Sequence, residues 1–270
     1  MKKIRLDRLL VEKGLIETRE KAKRTIMAGL VFSGTNRLDK PGVKIPADTP
    51  ITVKGKESPY VGRGGFKLEK ALEYFDVSLI DRVMVDVGAS TGGFTDCALQ
   101  NGVRLCYAVD VGYNQLAWEL RQDPRVIVME RTNFRYATPD LFEGDQPNFA
   151  TIDVSFISLK LMFPPLRHIL SAGSDVIALI KPQFEAGKEK VERKGIVRSP
   201  AVHMDVIQNC IAFAEESLFY LKDLTYSPIT GGDGNIEFLA HFIFNPEQEM
   251  LKKDHQEKIK AVVAEAHEML

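Results

Sequence analysis

The sequence predicts an α/β architecture, a mainly parallel sheet carrying an antiparallel hairpin strand, preceded by a small α+β module. Three observations lead there. Beyond residue 62, short apolar runs such as Arg82–Val87 and Asp175–Lys181 alternate with helical patterns. A glycine-rich turn, Gly88-Ala-Ser-Thr-Gly-Gly-Phe94, joins the first of those runs to a helix. Residues 1–58 carry 14 Lys/Arg against 7 Asp/Glu, a balance of +7, whereas the other 212 carry 22 against 30, a balance of −8.

A chain of 270 residues accommodates one large and one small domain, each with a core. A basic head on an acidic body points to a polyanionic partner held by the head, the plain alternative being a solvated basic surface. Cys97, Cys106 and Cys210 are odd in number and form no C-x-x-C pair, which argues against a disulfide framework and a structural zinc site. They lie in apolar segments, as buried thiols do. No signal peptide is visible and no run approaches the ~18 apolar residues of a membrane span, so the expected location is cytoplasmic.

In the head, Leu6, Leu9 and Leu10 stripe a first helix that Gly14 can close. Thr18 is the N-cap of a second, Arg19–Ala28, ended by Gly29. Arg19 and Lys23 share one face of it and Lys21 and Arg24 another, leaving Ala22 and Ile26 for the core. Strand-like pieces follow at Leu30–Phe32, Val43–Ile45 and Ile51–Val53, with turns at Ser33-Gly34 and Lys40-Pro41-Gly42. Residues 59–62 read as a linker. The order and spacing of Arg5-Leu-Asp7, Gly14, Thr18-Arg19, Ala22, Ile26, Gly29 and Val31 resemble the S4 RNA-binding domain. That resemblance implies a phosphate grip on structured RNA through Arg5, Arg8, Arg19, Lys21, Lys23 and Arg24. A basic module docking on the acidic body is the other reading.

The body runs over residues 63–270. Phe66, Ala71, Leu72 and Phe75 set a helix, with Lys67 and Lys70 off its apolar stripe beside Tyr74; alone, Lys67 reads as a solvated lysine. After the Arg82–Val87 strand the glycine turn lets a ligand approach the backbone and aims helix N–H groups at it. Its Gly88-x-x-x-Gly92-Gly93 spacing does not meet the dinucleotide fingerprint, and Asp86 at the strand end suits a cationic amino-acid ligand better than a pyrophosphate. A second strand ends at Asp110, placed to accept ribose hydroxyls or, alternatively, to serve as a turn aspartate. Val126–Met129 follows, with Asn133 after it where a base edge would be read. Strands four and five end at Asp153 and Lys181, the latter stopped by Pro182, so both project into the crevice at the sheet edge. Leu221–Ile229 and Ile236–Phe244 flank Gly231-Gly-Asp-Gly-Asn235 as a hairpin, and Glu237 among apolar neighbours is expected to be paired. Residues 183–200 set Lys188, Lys190, Arg193, Lys194 and Arg198 against Glu185, Glu189 and Glu192, either a mobile loop over RNA or a plain surface loop. His203 is expected to be structural, and Trp118 to lie in the core.

The turn from Asp86 to Phe94 resembles the first motif of class I S-adenosylmethionine (SAM) methyltransferases in its FtsJ-like form. Lys67, Asp153, Lys181 and Glu237, in that order, match the Lys-Asp-Lys-Glu tetrad of FtsJ-like RNA 2′-O-methyltransferases. With Arg63–Lys67, Ile152–Phe156, Ile180–Phe184 and Gly195–Arg198, the whole chain is similar to the hemolysin A (TlyA) family of ribosomal RNA 2′-O-methyltransferases. The resemblance implies a class I methyltransferase fold acting on cytidines of ribosomal RNA within ribosomal subunits. It implies SAM held by Asp86, Gly88, Ser90, Thr91, Gly92, Gly93, Phe94, Asp110, Asn133 and Asp153. It makes the tetrad catalytic: Lys181 orients the hydroxyl and deprotonates it as a neutral amine whose pKa Lys67 lowers, or else orients it without taking its proton, while Glu237 orients an ammonium and Asp153 positions the donor methyl. Transfer from a sulfonium needs no metal. Two readings compete: an RNA-binding assembly factor without methyl transfer, and a membrane-active hemolysin, for which no amphipathic or spanning segment is evident.

Overall fold

The computed structural model describes residues 3–54, 59–192, 195–247 and 254–270, and the chain divides into two units, Met1–Gly65 and Phe66–Leu270. In the first, α1 (Leu6–Glu12) and α2 (Arg19–Met27) pack through Leu6, Leu10, Ala22 and Ile26 onto Val31. Thr18 caps α2, its hydroxyl accepting the Lys21 N–H at 3.2 Å. Short strands surround the helices: β1 (Lys3–Arg5), β2 (Val31–Ser33), β3 (Asn36–Arg37), β4 (Lys44–Pro46) and β5 (Thr52–Val53). They pair as β1–β4 and as a ribbon in the order β3-β2-β5. Strand β1 is not evident from the sequence pattern. Its pairing continues into the helix start, where the Leu6 and Asp7 N–H groups donate to Val43 and Pro41, so Arg5 enters the helix from an extended backbone. Residues 59–62 are no bare tether, since Tyr60 and Val61 are buried and the Tyr60 ring lies where a Cβ on Gly65 would go.

Asp7 organises the basic side of the head. Its carboxylate is fully buried, takes the Arg5 guanidinium through two hydrogen bonds of 3.0 Å, and takes Arg19 at 2.9 Å. Burial pushes this carboxyl up, but the two guanidiniums outweigh it and hold it down at about 2.

The body begins with α3 (Gly64–Phe75), followed by β6 (Val83–Val87), α4 (Gly93–Gln100), β7 (Leu105–Val109), α5 (Trp118–Gln122) and β8 (Val126–Met129). Then come β9 (Phe149–Ile152), α6 (Phe163–Ile169), β10 (Asp175–Ile180), α7 (Pro182–Glu185), α8 (Pro200–Glu216), β11 (Phe219–Tyr226), β12 (Phe238–Phe244) and α9 (Gln256–Met269). The seven-stranded sheet has the order β11-β12-β10-β9-β6-β7-β8, and β12 is antiparallel to both its neighbours. The reversed strand is therefore interior, and β11 forms the edge. β6, β9 and β10 are buried at every position, as parallel strands covered on both faces must be.

Two side chains of the body settle the expectations placed on them. Trp118 is 72% exposed rather than in the core, because α5 is little more than one turn long and buries only Leu120. His203 on α8 is buried, with Nε2 3.1 Å from the Val197 carbonyl and Nδ1 3.0 Å from His267 Nε2 on α9. Burial first, and the facing imidazole second, push its pKa down to about 4. Cys97, Cys106 and Cys210 are buried and free.

The Asp7 cluster yields a pH test. A carboxyl at about 2 in the folded head, against about 3.9 unfolded, contributes stability that is present above pH ~4 and lost as pH falls through about 2. Amide protection of α1 and α2 in the full chain should fall across that window, and Asp7→Asn should be less protected and insensitive to it. Equal acid sensitivity in the variant would assign the effect to other carboxylates.

Candidate active site

The sheet brings four charged side chains to one edge. β9 and β10 run parallel in register, so Asp153 and Lys181 leave the same end of the sheet. β12 runs the other way with Phe238 opposite Ile180, so the residue before its first is set beside the residue after β10's last. That is how Glu237 comes next to Lys181, 56 positions away in sequence. Lys67 reaches the same place from α3.

The four form two ion pairs. Lys67 Nζ donates to Glu237 Oε2 at 2.5 Å, and Lys181 Nζ lies 2.5 Å from Asp153 Oδ1. Lys181 also donates to Ser155 Oγ at 3.1 Å. Its ammonium is thus shared between the Asp153 carboxylate and the Ser155 hydroxyl. Lys67, Lys181 and Glu237 are each less than 10% exposed, so the solvated-lysine reading of Lys67 does not hold. Removing one member of such a pair strands a buried charge, at a cost of roughly 3–5 kcal/mol.

Burial alone would push Lys181 towards the neutral amine. Asp153 and then Glu237 outweigh it, and the ammonium is held above the ordinary lysine range. Burial likewise pushes the Asp153 carboxyl up, but Lys181 and then Lys67 bring it below its usual value. Both directions run against the expectation of a neutral Lys181 lowered by Lys67, since the two carboxylates favour the charged lysine.

Beside the tetrad lies a cavity of about 300 Å³, lined by residues at the ends of four adjacent strands, β9, β6, β7 and β8, and in the chain that follows them. Chain order reverses at β6, the switch point where open α/β sheets bind ligands. Of the residues expected to hold a cofactor, Gly88, Ser90, Asp110, Asn133 and Asp153 line it. Gly88 is required twice over: its φ is +88°, and a Cβ there would stand 2.5 Å from the Asp153 carbonyl oxygen. Asp110 accepts the Ser90 N–H at 2.8 Å and the Gly112 N–H at 2.6 Å, so it braces the turn while keeping a lone pair on each oxygen for a hydroxyl. Phe134, Ile157 and Met162 add an apolar wall suited to a purine.

The other expected ligands build the turn instead of facing the cavity. Asp86 is fully buried and accepts hydroxyls from Thr95 at 2.7 Å and Thr151 at 2.8 Å; burial pushes it up to about 6. Thr91 accepts the Ala117 N–H through its carbonyl, and Phe94 is buried. Gly92 has φ +96° and starts α4, where a Cβ would strike Leu120; Gly93 is the first residue of that helix. The sequence reading missed Ser155 and Phe156. Phe156 is 90% exposed, takes a φ of +63° that aromatic residues rarely adopt, and sets its ring 4.9 Å from Phe184. The Ile152–Phe156 motif was the available signal.

On the head, the six candidate cations are held in different ways. Arg5 and Arg19 share Asp7, whereas Arg8, Lys21 and Lys23 pair with Glu12, Glu17 and Glu20 at 2.7, 2.7 and 2.8 Å. Those exposed pairs are weak and exchangeable for phosphate; Arg24 lies half-buried on α2. In the 183–200 segment Lys190 pairs with Asp205 and Arg198 with Glu192, while Arg193 and Lys194 lie outside the described residues.

A mainly parallel seven-stranded sheet with one reversed strand, and a cavity at its switch point, defines a Rossmann-like methyltransferase fold. The FtsJ-like methyltransferase family model matches residues 60–244 and the S4 domain model residues 4–51. The chain belongs to the FtsJ-like methyltransferase family, with an S4 domain as its head. It is 63% identical to a Bacillus subtilis protein described as putative rRNA methyltransferase YqxC, covering 100% of this chain and 96% of that one. It is 36% identical to the 16S/23S rRNA (cytidine-2′-O)-methyltransferase TlyA of Mycobacterium tuberculosis, covering 98% of each. A solved structure described as a putative hemolysin from Streptococcus thermophilus superposes with a TM-score of 0.80 at 54% identity, covering 100% of this chain and 97% of that one. The chain is accordingly a SAM-dependent methyltransferase. Among the described residues no helix is long and apolar enough to cross a membrane.

A bulkier residue at the crossing of β6 and β9 tests the cavity. Gly88→Ala is expected to lower the unfolding free energy by about 1–2 kcal/mol from its φ alone and to weaken SAM binding at least about tenfold. A calorimetric dissociation constant equal to that of the unchanged protein would show that the turn has room to spare.

Proposed function

We propose that this protein methylates the ribose 2′-hydroxyl of a cytidine in ribosomal RNA, acting in the cytoplasm on ribosomal subunits held by its S4 head. The observation that carries the reading is the convergence of Lys67, Asp153, Lys181 and Glu237 as two buried ion pairs beside the cavity. The activity named for the 36%-identical relative supports the same target.

SAM bound in the cavity supplies an electrophilic methyl on a sulfonium. Everything else falls to the chain. Lys181, kept as an ammonium by Asp153 and Glu237, donates to the 2′-oxygen and fixes the direction of its remaining lone pair. Lys67 and Glu237 neutralise one another and hold that ammonium in place. Because Lys181 enters charged, proton loss from the hydroxyl accompanies C–O bond formation instead of preceding it, and Asp153, the carboxylate paired with Lys181, is the acceptor for that proton. Fixing both reactants this way can supply about 7 kcal/mol or more. The exposed Phe156 ring offers a stacking face to a nucleotide turned out of its helix, the usual way single bases in RNA are held.

The test is transfer of labelled methyl from SAM to purified ribosomal subunits. Label should map to a cytidine 2′-oxygen, and Lys181→Ala should lower the rate by about 10²-fold or more. Retained SAM binding without RNA methylation by the unchanged protein would move the assignment to an assembly factor. The rate should also be nearly flat from about pH 7 to 9. A neutral lysine base with a raised pKa would instead give a tenfold rise per pH unit across that window, and such a slope would overturn the charged-lysine step.

A further inference from the structure

The chain leaving β9 and the chain leaving β10 are joined rung by rung. Lys181 meets Asp153 at 2.5 Å and Ser155 at 3.1 Å, and the Phe156 and Phe184 rings face each other at 4.9 Å. The last rung is Glu185 at the end of α7. Its Oε2 accepts the Ser158 hydroxyl at 2.6 Å, and its Oε1 accepts the Leu159 N–H at 2.8 Å. Ser158 in turn accepts the Lys160 N–H at 3.2 Å, so Glu185 caps the short 3₁₀ turn Leu159–Leu161 into which the Phe156 segment runs. A carboxylate among the charges of a surface loop would be solvated. This one is turned inward, and burial pushes its pKa up.

The residues on either side of Phe156 are anchored, Val154 and Ile157 packing against the core and Leu159 buried within it. Ser155 and Phe156 are both exposed, and Phe156 sits at a strained φ of +63°. Strain of that kind persists only where the surroundings over-determine it. The Lys181 end is tied by charge and the far end by Glu185, leaving the aromatic ring presented between two fixed points.

We propose that Glu185 is a positioning residue for RNA methylation, acting through the Ser155–Phe156 segment to hold the acceptor nucleotide against Lys181. The proposal rests on the functional reading above, in which a nucleotide stacks on Phe156. The role is geometric. Glutamine in its place can still accept from Leu159 through its oxygen and donate to Ser158 through its amide, whereas leucine fills the space and leaves both groups unmet.

Single-turnover methyl transfer to ribosomal subunits, at saturating SAM, separates the possibilities. Glu185→Leu should slow transfer by about 30-fold, while Glu185→Gln stays within about threefold of the unchanged protein. The SAM dissociation constant should change by less than about threefold in either. Because Glu185 acts through Phe156, the Glu185→Leu/Phe156→Ala double variant should be no more than about threefold slower than the slower single variant. Ser158→Ala, which removes one of the two bonds, should fold in any case and lose about fivefold. The proposal is overturned if Glu185→Leu transfers at the unchanged rate, if Glu185→Gln is as slow as leucine, or if the double variant shows the product of the two single losses. Failure of the underlying reading looks different: the unchanged protein itself would put no label on ribosomal RNA.

Discussion

Two lysines and two carboxylates, buried together at the end of a sheet, are the constraint on which the body of this protein is built. Each charge taken from water is costly unless an opposite charge is brought to it, and the four come from α3, β9, β10 and the start of β12. No single element could supply them. The reversed insertion of β12 between β10 and β11 does so, because an antiparallel strand begins where its parallel neighbours end. A hairpin added in the other order at the sheet edge would put β11 beside β10. The hairpin turn follows from the same need: a Cβ on Gly231 would stand 2.6 Å from Glu237 Oε1, and the buried Asn235 pins Val197 and Gly195 beside it.

The charge arrangement also decides what kind of chemistry the lysine can do. Two cations at close quarters would depress one another, which is the usual route to a neutral catalytic amine. Here the carboxylates intervene, and desolvation loses to them. A site of this kind arranges a nucleophile and lets its proton leave late. Its demands then fall on geometry: the crossing of Gly88 with Asp153, the brace of Asp110 across the turn, and the tie between the segments that follow β9 and β10.

The head uses the same device for a different end. Asp7, an acid at the centre of a basic surface, looks like a loss of charge until its contacts are counted: it fixes the half-exposed Arg5 and Arg19 guanidiniums side by side. Arginines held in this way lose less freedom on meeting a phosphate than lysines free to swing. In both units a buried carboxylate sets where cations stand.

Much of this could be read from the residues. Apolar runs ending in Asp153 and Lys181 and the glycine turn placed the parallel strands to within a residue, because buried parallel strands write continuous apolar runs, while β11 starts two residues and ends three residues earlier than its pattern suggests. The tetrad was legible through its resemblance to a family. Local pattern failed where burial depends on distant partners. Lys67 has the spacing of a solvated helix lysine and is buried only because Glu237 meets it; Trp118 has the composition of a core residue and is exposed because α5 is too short to bury it. Asp86 sits in the cofactor motif yet is turned to Thr95 and Thr151, and Glu185 reads as one loop charge among several yet caps a turn. The sequence by itself determined the elements, their order and the residue types at the sheet edge, since these depend on periodicity and on what each residue allows its own backbone. Which charges pair and which side chains face the cavity were decided by tertiary structure alone, because electrostatic partners and desolvation act through space between residues that the chain order keeps far apart.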